Sequence, residues 1–140
     1  MLAIIDSSFL YAVVDKNNKN HEKAAQFLND NPNFTYVIPF SILQETCEII
    51  DYEIAKQVAV KFLKEVLKTF HIELHEHKDL IRAIELIDYY SNFKNMDIDF
   101  SDVLFISVCE RLKTNNILTF RKNVFEEIVP KGFKKFNFLI

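Results

Sequence analysis

The sequence has very little glycine, and this excludes whole classes of nucleotide-binding site. Its 140 residues include one glycine, Gly132, and three prolines. The G-x-G-x-x-G motif and the P-loop each need several glycines, because the backbone must approach the phosphates closely. The chain also lacks a Gly/Pro-rich linker, a low-complexity stretch or a recognisable repeat. We therefore expect one domain over residues 1–140 without a glycine-rich phosphate cradle.

Long apolar runs and metal-type cysteine spacings are missing as well. No segment approaches the roughly 18–20 consecutive apolar residues of a membrane span, and the first residues do not resemble a secretory leader. The two cysteines, Cys47 and Cys109, form no C-x-x-C pair and lie within apolar helical patterns, where free thiols are expected. These features predict a cytoplasmic protein with no membrane segment.

Charge is distributed unevenly along the chain. The formal net charge is -3, yet residues 111–140 carry seven Lys or Arg and two Glu, so this region is about +5 and the remainder about -8. A basic edge on an acidic body suits a polyanion held beside a carboxylate cluster. The alternative is an ordinary solvated surface rich in lysine, and the charge distribution alone favours this alternative.

Short apolar runs alternate with helical patterns, and 49% of the residues are hydrophobic. Five strands are predicted, at 2–5, 34–40, 71–75, 116–120 and 136–140. Four helices are predicted at 21–29, 53–69, 80–90 and 103–112, and two more begin at about 8 and about 41. Repeated strand and helix units predict an α/β fold of three α/β/α layers with a central parallel sheet. In such folds ligands bind beyond the carboxyl ends of the strands.

Four acids lie at the predicted strand ends or helix starts: Asp6, Glu45, Asp99 and Asp102. Carboxylates gathered on one rim repel one another unless a cation compensates them, and oxygen ligands favour Mg2+ or Mn2+. Each acid also has a simpler explanation. Asp6 could cap the next helix, Asp99 and Asp102 have capping-box spacing, and Glu45 could face solvent. Only their joint placement favours a metal site.

Two other groups of residues are better explained by packing than by ligand binding. His71, His75 and His77 have no cysteine nearby, so we interpret them as surface or strand residues rather than a zinc site. Most of the 14 phenylalanines are expected in the core. Four of them lie among basic residues and could stack on bases if exposed: Phe120, Phe125, Phe133 and Phe136.

Taken together, these segments resemble a PIN domain, the nuclease fold of VapC-type toxins. IDSSFL at 5–10 is similar to the family's first strand with its Asp and hydroxyl, and IPFSILQE at 38–45 to the second strand and the helix bearing its Glu. MDIDFSDVLFISVCERL at 96–112 resembles the region of the later Asp residues, and ILTF at 117–120 with the final FNFLI resembles the last two strands. The resemblance runs nearly end to end.

The resemblance implies metal-dependent cleavage of RNA, with Mg2+ or Mn2+ as cofactor. Asp6, Glu45 and Asp102 would be the metal-binding acids, Asp99 an auxiliary acid, and Ser8 a hydroxyl that orients Asp6 or a water. In such a site the metal would generate a hydroxide nucleophile and neutralise phosphate charge. The family also implies a homodimer and a small antitoxin protein as partner.

One residue departs from the family pattern. Where T-x-D would follow the fourth strand, Thr119 and Phe120 are followed by Arg121, so a cation replaces the fourth acid. Arg121, with Lys122 beside it, is an expected contact for substrate phosphate. The replacement could also reduce the site to one metal and lower its activity, or leave a degenerate, non-catalytic PIN domain that binds RNA or a protein. A haloacid-dehalogenase-like phosphatase is disfavoured, because Ser8 stands where its second Asp is needed.

Overall fold

The computed structural model describes all 140 residues and contains a five-stranded parallel sheet. The elements, in chain order, are β1 (Leu2–Ile5), α1 (Ser7–Val14), α2 (His21–Asp30), β2 (Thr35–Pro39), α3 (Phe40–Glu53), α4 (Lys56–Thr69), β3 (His71–Glu73), α5 (His77–Tyr90), α6 (Phe100–Arg111), β4 (Asn116–Leu118), α7 (Lys122–Phe125) and β5 (Asn137–Phe138). The strand order is β3-β2-β1-β4-β5. The predicted α/β/α architecture with a central parallel sheet is confirmed.

The central strand β1 is apolar because both of its faces are covered. Ala3, Ile4 and Ile5 are fully buried, and the strand pairs with β2 on one side and with β4 on the other. The continuous apolar run at 2–5 is the pattern expected of a parallel strand between two helical layers. Helix α6 is apolar nearly all round for the same reason, since every residue from Val103 to Cys109 is buried.

The parallel sheet brings several chain segments to one edge. β1 ends at Ile5, β2 at Pro39 and β4 at Leu118, and all three run in the same direction. Asp6, the first turns of α3 and the segment from Thr119 onward therefore follow the carboxyl ends of adjacent strands. This is the edge where open α/β sheets bind their ligands.

Several predicted boundaries were wrong. The helix predicted at 53–69 is the later part of a helical pair: α3 extends to Glu53, and α4 begins at Lys56. Ile54 continues the apolar spacing of α4, but it lies in the turn between the two helices and is 43% exposed. The edge strand predicted at 71–75 ends at Glu73, because its ladder with β2 has only three residue pairs.

The sheet's other edge is also shorter than predicted. Strand β4 ends at Leu118 rather than at Phe120, and β5 contains only Asn137 and Phe138. The short helix α7 was not predicted. Gly132 precedes β5 with a φ of 89°, a left-handed conformation that favours glycine. No helix in the structure combines the length and apolarity needed to cross a membrane.

Candidate active site at the carboxyl ends of the strands

Asp6 is a fully buried carboxylate immediately after β1. It occupies the N-cap position of α1, but its side chain makes no capping hydrogen bond. Instead, Oδ2 accepts hydrogen bonds from the hydroxyls of Ser8 at 3.0 Å and Thr119 at 2.8 Å. The sequence left open whether this residue caps the helix. Its side chain belongs to a polar cluster between the ends of β1 and β4.

Asp99 and Asp102 form a capping box at the start of α6. The Asp102 N–H donates to Asp99 Oδ1 at 2.9 Å, and the Asp99 N–H donates to Asp102 Oδ2 at 3.1 Å. The capping interpretation is therefore confirmed for both residues. It leaves Oδ1 of Asp102, a 3% exposed residue, directed at the cluster, whereas Asp99 is exposed. A residue can cap a helix with one oxygen and serve a site with the other.

Glu45 reaches the same region from the second turn of α3 and is partly buried. Its Oε2 accepts a hydrogen bond from the Ser101 hydroxyl at 2.8 Å, which links α3 to the first turn of α6. Burial raises the pKa of Glu45 above its ordinary value, and the charges of Asp6 and Asp99 raise it further. The Ser101 hydrogen bond and the positive charge of Arg121 oppose that rise.

Arg121 joins the two buried acids of the cluster, Asp6 and Asp102. Its Nε and Nη2 donate to the two oxygens of Asp6, each at 3.3 Å, and Nη2 also donates to Asp102 Oδ1 at 2.5 Å. The guanidinium lies 5.6 Å from the centre of the Phe125 ring, within the range of a cation–π contact. Burial on its own would lower the pKa of Arg121, but the charges and hydrogen bonds of Asp6 and Asp102 raise it overall.

Asp102 remains a poorly compensated carboxylate despite this cation. Burial raises its pKa to about 6, and the charge of Asp99 contributes to the rise, while Arg121 and the Asp99 N–H act against it. A single guanidinium faces the acids Asp6, Glu45, Asp99 and Asp102, so the cluster keeps an excess of negative charge. Such an excess favours the binding of a further cation.

With Arg121 in this position, the acids do not fit a metal ion. Their oxygens are the right type for Mg2+ or Mn2+. However, the guanidinium contacts both oxygens of Asp6 and one of Asp102, and no group of three His, Cys, Asp or Glu side chains is placed so that it could hold a metal. Asp6, Glu45 and Asp102 therefore remain predicted ligands that the arrangement does not present together.

Sequence reasoning missed two residues that hold the acids in place. Thr119 donates to Asp6, and its hydroxyl also accepts from the Arg121 N–H at 2.9 Å. Ser101 anchors Glu45, as described above. Both residues could have been found from their positions in the sequence, since Thr119 follows the end of β4 and Ser101 lies between Asp99 and Asp102. The predicted contact of Ser8 with Asp6 is present, and Ser8 also accepts from the Phe120 N–H at 2.9 Å.

The basic residues of 111–140 fall into two groups: those that pair with acids inside the protein and those exposed on the surface. Arg111 pairs with Glu73, Glu76 and Asp79. Arg121 is engaged by the acidic cluster. The other five basic residues of this region are exposed lysines without an ion pair: Lys113, Lys122, Lys131, Lys134 and Lys135. Lys122 does not touch the acids, and its ammonium lies 5.8 Å from the centre of the Phe138 ring.

The remaining candidates are mostly structural. Phe125 and Phe136 are buried in the core, and Phe120 and Phe133 are partly buried. His71 pairs with Glu73, whereas Nε2 of His75 accepts the Ser41 N–H of α3 at 3.1 Å. No histidine belongs to a metal-binding group. Cys109 is buried and Cys47 partly buried, and both are free thiols.

The structure is similar to solved VapC toxins over nearly its whole length. VapC20 from Mycobacterium tuberculosis, described as a Sarcin-Ricin loop cleaving toxin, has a TM-score of 0.77 and 17% identity, over 94% of this chain and 95% of that one. VapBC2 from Rickettsia felis, bound to a DNA fragment from its promoter, has a TM-score of 0.68 and 18% identity, over 88% and 90%. A toxin–antitoxin complex from Klebsiella pneumoniae has a TM-score of 0.67 and 17% identity, over 90% and 92%.

Neither a protein-family model nor a curated protein matches the sequence. At identities of 17–18% the likeness is one of structure, over 88–94% of this chain. The chain therefore has the PIN-domain fold of the VapC toxins.

Proposed function

We propose that this protein is a Mg2+- or Mn2+-dependent endoribonuclease and the toxin component of a toxin–antitoxin pair. One observation carries the proposal: a chain with the fold of VapC toxins brings Asp6, Glu45 and Asp102 from three separate elements to the carboxyl ends of its strands. One of the similar structures is described as cleaving the Sarcin-Ricin loop, an RNA. Shared fold alone does not establish activity, so the acids must carry the argument.

The excess of negative charge supports this proposal. A buried acidic cluster that served only stability would be costly, because each uncompensated carboxylate loses its hydration. Arg121 compensates part of the charge, and burial keeps the pKa values of Glu45 and Asp102 raised despite its presence. Once the Arg121 side chain has left the acids, a divalent ion would supply the positive charge, with Asp99 as an auxiliary acid and Ser8 holding Asp6.

The predicted contact of Arg121 with substrate phosphate requires its side chain to leave the acids. In the structure all of its charged hydrogen bonds go to Asp6 and Asp102. Lys122 is already exposed and available to a phosphate. We expect RNA to contact the five exposed lysines of residues 111–140 first, through interactions that weaken as salt is raised.

A second function is favoured by the same arginine. If Arg121 permanently occupies the acidic cluster, the protein is a degenerate PIN domain that binds RNA or a protein partner without cutting RNA. The observation behind this alternative is that Arg121 bridges Asp6 and Asp102, the two buried acids of the cluster. It predicts salt-sensitive RNA binding with no metal-dependent product.

Incubation of structured and single-stranded RNA with the protein, in Mg2+, in Mn2+ and in EDTA, distinguishes the two functions. The ribonuclease proposal predicts cleavage that requires the metal and is lost in Asp6→Asn and in Asp102→Asn. Lys64→Gln is a suitable control, because Lys64 is an exposed residue of α4 without an ion pair. RNA binding without cleavage in all three conditions supports the non-catalytic function and refutes the ribonuclease.

We also propose an antitoxin partner and a homodimer. One of the similar structures, from Klebsiella pneumoniae, is described as a toxin–antitoxin complex. Co-expression with the protein encoded by the adjacent reading frame, followed by co-purification, tests the first proposal. Light scattering on the 16.5 kDa chain tests the second, and a monomeric mass at micromolar concentration contradicts it.

A further inference from the structure

We propose that Arg121 is a built-in counter-cation that competes with a divalent metal ion for Asp6 and Asp102. The inference rests on the proposed function in one respect, since it concerns the same acidic cluster. It does not require the protein to cleave RNA. It predicts that the protein binds divalent ions weakly, and that removal of one side chain makes the binding tight.

Competition follows from the oxygen atoms that Arg121 uses. Its guanidinium contacts Oδ1 and Oδ2 of Asp6 and Oδ1 of Asp102. These are the atoms that would coordinate an ion shared by the two residues. Since a cation close to these oxygens also repels a second cation, the ion and the guanidinium cannot both occupy the site at full affinity.

The two acids are held in place independently of Arg121. Asp6 follows β1 directly and accepts hydrogen bonds from Ser8 and Thr119. Asp102 is fixed by its reciprocal hydrogen bonds with Asp99. When the guanidinium leaves, both carboxylates should stay where they are. The vacated position would therefore retain its negative charge and its oxygen ligands.

Arg121 can leave without disturbing the fold around it. Its side chain is 33% exposed, and its backbone N–H is held separately by Thr119. Only side-chain rotations are needed to carry the guanidinium into solvent. A fully buried arginine could leave only if the core rearranged, and a metal ion could then not replace it.

Mn2+ titration calorimetry on the metal-free protein tests the competition. We expect Arg121→Gln to bind Mn2+ at least about tenfold more tightly than wild type, a change of about 1.4 kcal/mol. Addition of Asp6→Asn to this variant should abolish the gain. Equal Mn2+ affinities for wild type and Arg121→Gln would overturn the proposal.

Arg82 offers a matched control. Its side chain is also 33% exposed and also bridges two acids, Glu85 and Glu110, but it makes no contact with the acidic cluster. Arg82→Gln removes the same charge and should leave Mn2+ affinity unchanged. A gain as large as that of Arg121→Gln would show that net charge alone sets the affinity, and would overturn the proposal.

A second variant covers the case in which Arg121→Gln does not fold. Arg121→Lys keeps the positive charge but loses the two-pronged contact with Asp6, so Mn2+ should bind more tightly than to wild type. Circular dichroism verifies the fold of each variant, and no gain in a folded Arg121→Lys would count against the proposal.

Failure of this inference can be told apart from failure of the proposed function. Tight Mn2+ binding by Arg121→Gln without RNA cleavage by any variant supports the competition and refutes the ribonuclease. RNA cleavage by wild type, with Mn2+ affinity unchanged in Arg121→Gln, supports the ribonuclease and refutes the competition.

Discussion

Replacement of Arg121 by Gln should destabilise the metal-free protein, because it leaves two buried acids without their cation. Asp6 is fully buried and Asp102 is 3% exposed. Removal of one partner from a buried ion pair typically costs about 3–5 kcal/mol. Arg121 is one-third exposed and its hydrogen bonds to Asp6 are 3.3 Å long, so solvent screening reduces the effect. We expect a loss of about 2 kcal/mol in the free energy of unfolding.

A double-mutant cycle isolates the contribution of the Asp6–Arg121 pair. In the Arg121→Gln background, Asp6→Asn removes one of the uncompensated charges, and the amide oxygen of Asn can still accept hydrogen bonds from Ser8 and Thr119. This second change should therefore cost less than it does in wild type. We expect a coupling energy of about 1–2 kcal/mol.

Urea unfolding at pH 7 in EDTA, followed by circular dichroism, gives the four free energies of the cycle. The urea dependence should be the same for all four proteins, since a change in slope would indicate an altered unfolded or folded state. If the two substitutions were additive within about 0.5 kcal/mol, Arg121 would not compensate Asp6 and the reasoning would be refuted.

Three further predictions concern the scaffold around the site. Arg111→Gln should lower the free energy of unfolding by about 3 kcal/mol, because Asp79, which is 2% exposed, loses its cation; a loss below about 1 kcal/mol in urea unfolding would contradict this. Phe105→Ala should lower the free energy of unfolding by about 3–5 kcal/mol, since Phe105 is fully buried and packs against Phe125. A loss under about 1 kcal/mol, typical of a surface residue, would contradict the burial of Phe105. Burial lowers the pKa of His75 below its ordinary value, so protonation of this residue favours the unfolded chain. As pH falls through 6.5, the free energy of unfolding of wild type should therefore decrease relative to that of His75→Gln. A difference between the two proteins that does not change with pH would contradict this prediction.

The sequence predicted the parts of the fold that depend on local pattern. The apolar run at 2–5 predicts a buried strand, and the apolar residues of 103–112 predict a buried helix, because burial on all sides leaves no polar face. Two helices were predicted here, but the start of the second was placed at about 53 rather than at Lys56, since Ile54 has the spacing of a core residue while being 43% exposed. Its position depends on how two helices pack, which no single segment encodes.

The candidate site was predicted in part for a similar reason. Parallel strands place their carboxyl ends together, so the placement of Asp6, Glu45 and Asp102 near one edge of the sheet follows from the alternation of strands and helices. The resemblance to the PIN-domain family also implied that Arg121 replaces an acid. It could not show that the guanidinium lies between Asp6 and Asp102, because a long side chain at a strand end can point to solvent or to the cluster. Only the three-dimensional contacts distinguish these outcomes.

Crystals of the protein soaked in Mn2+ and measured at a wavelength where manganese scatters anomalously would test the central claim most directly. The account predicts an anomalous peak bound by Asp6, Glu45 and Asp102, with the Arg121 side chain turned away from both aspartates. Crystals at high Mn2+ concentration with no peak there, and with Arg121 still bridging Asp6 and Asp102, would contradict it.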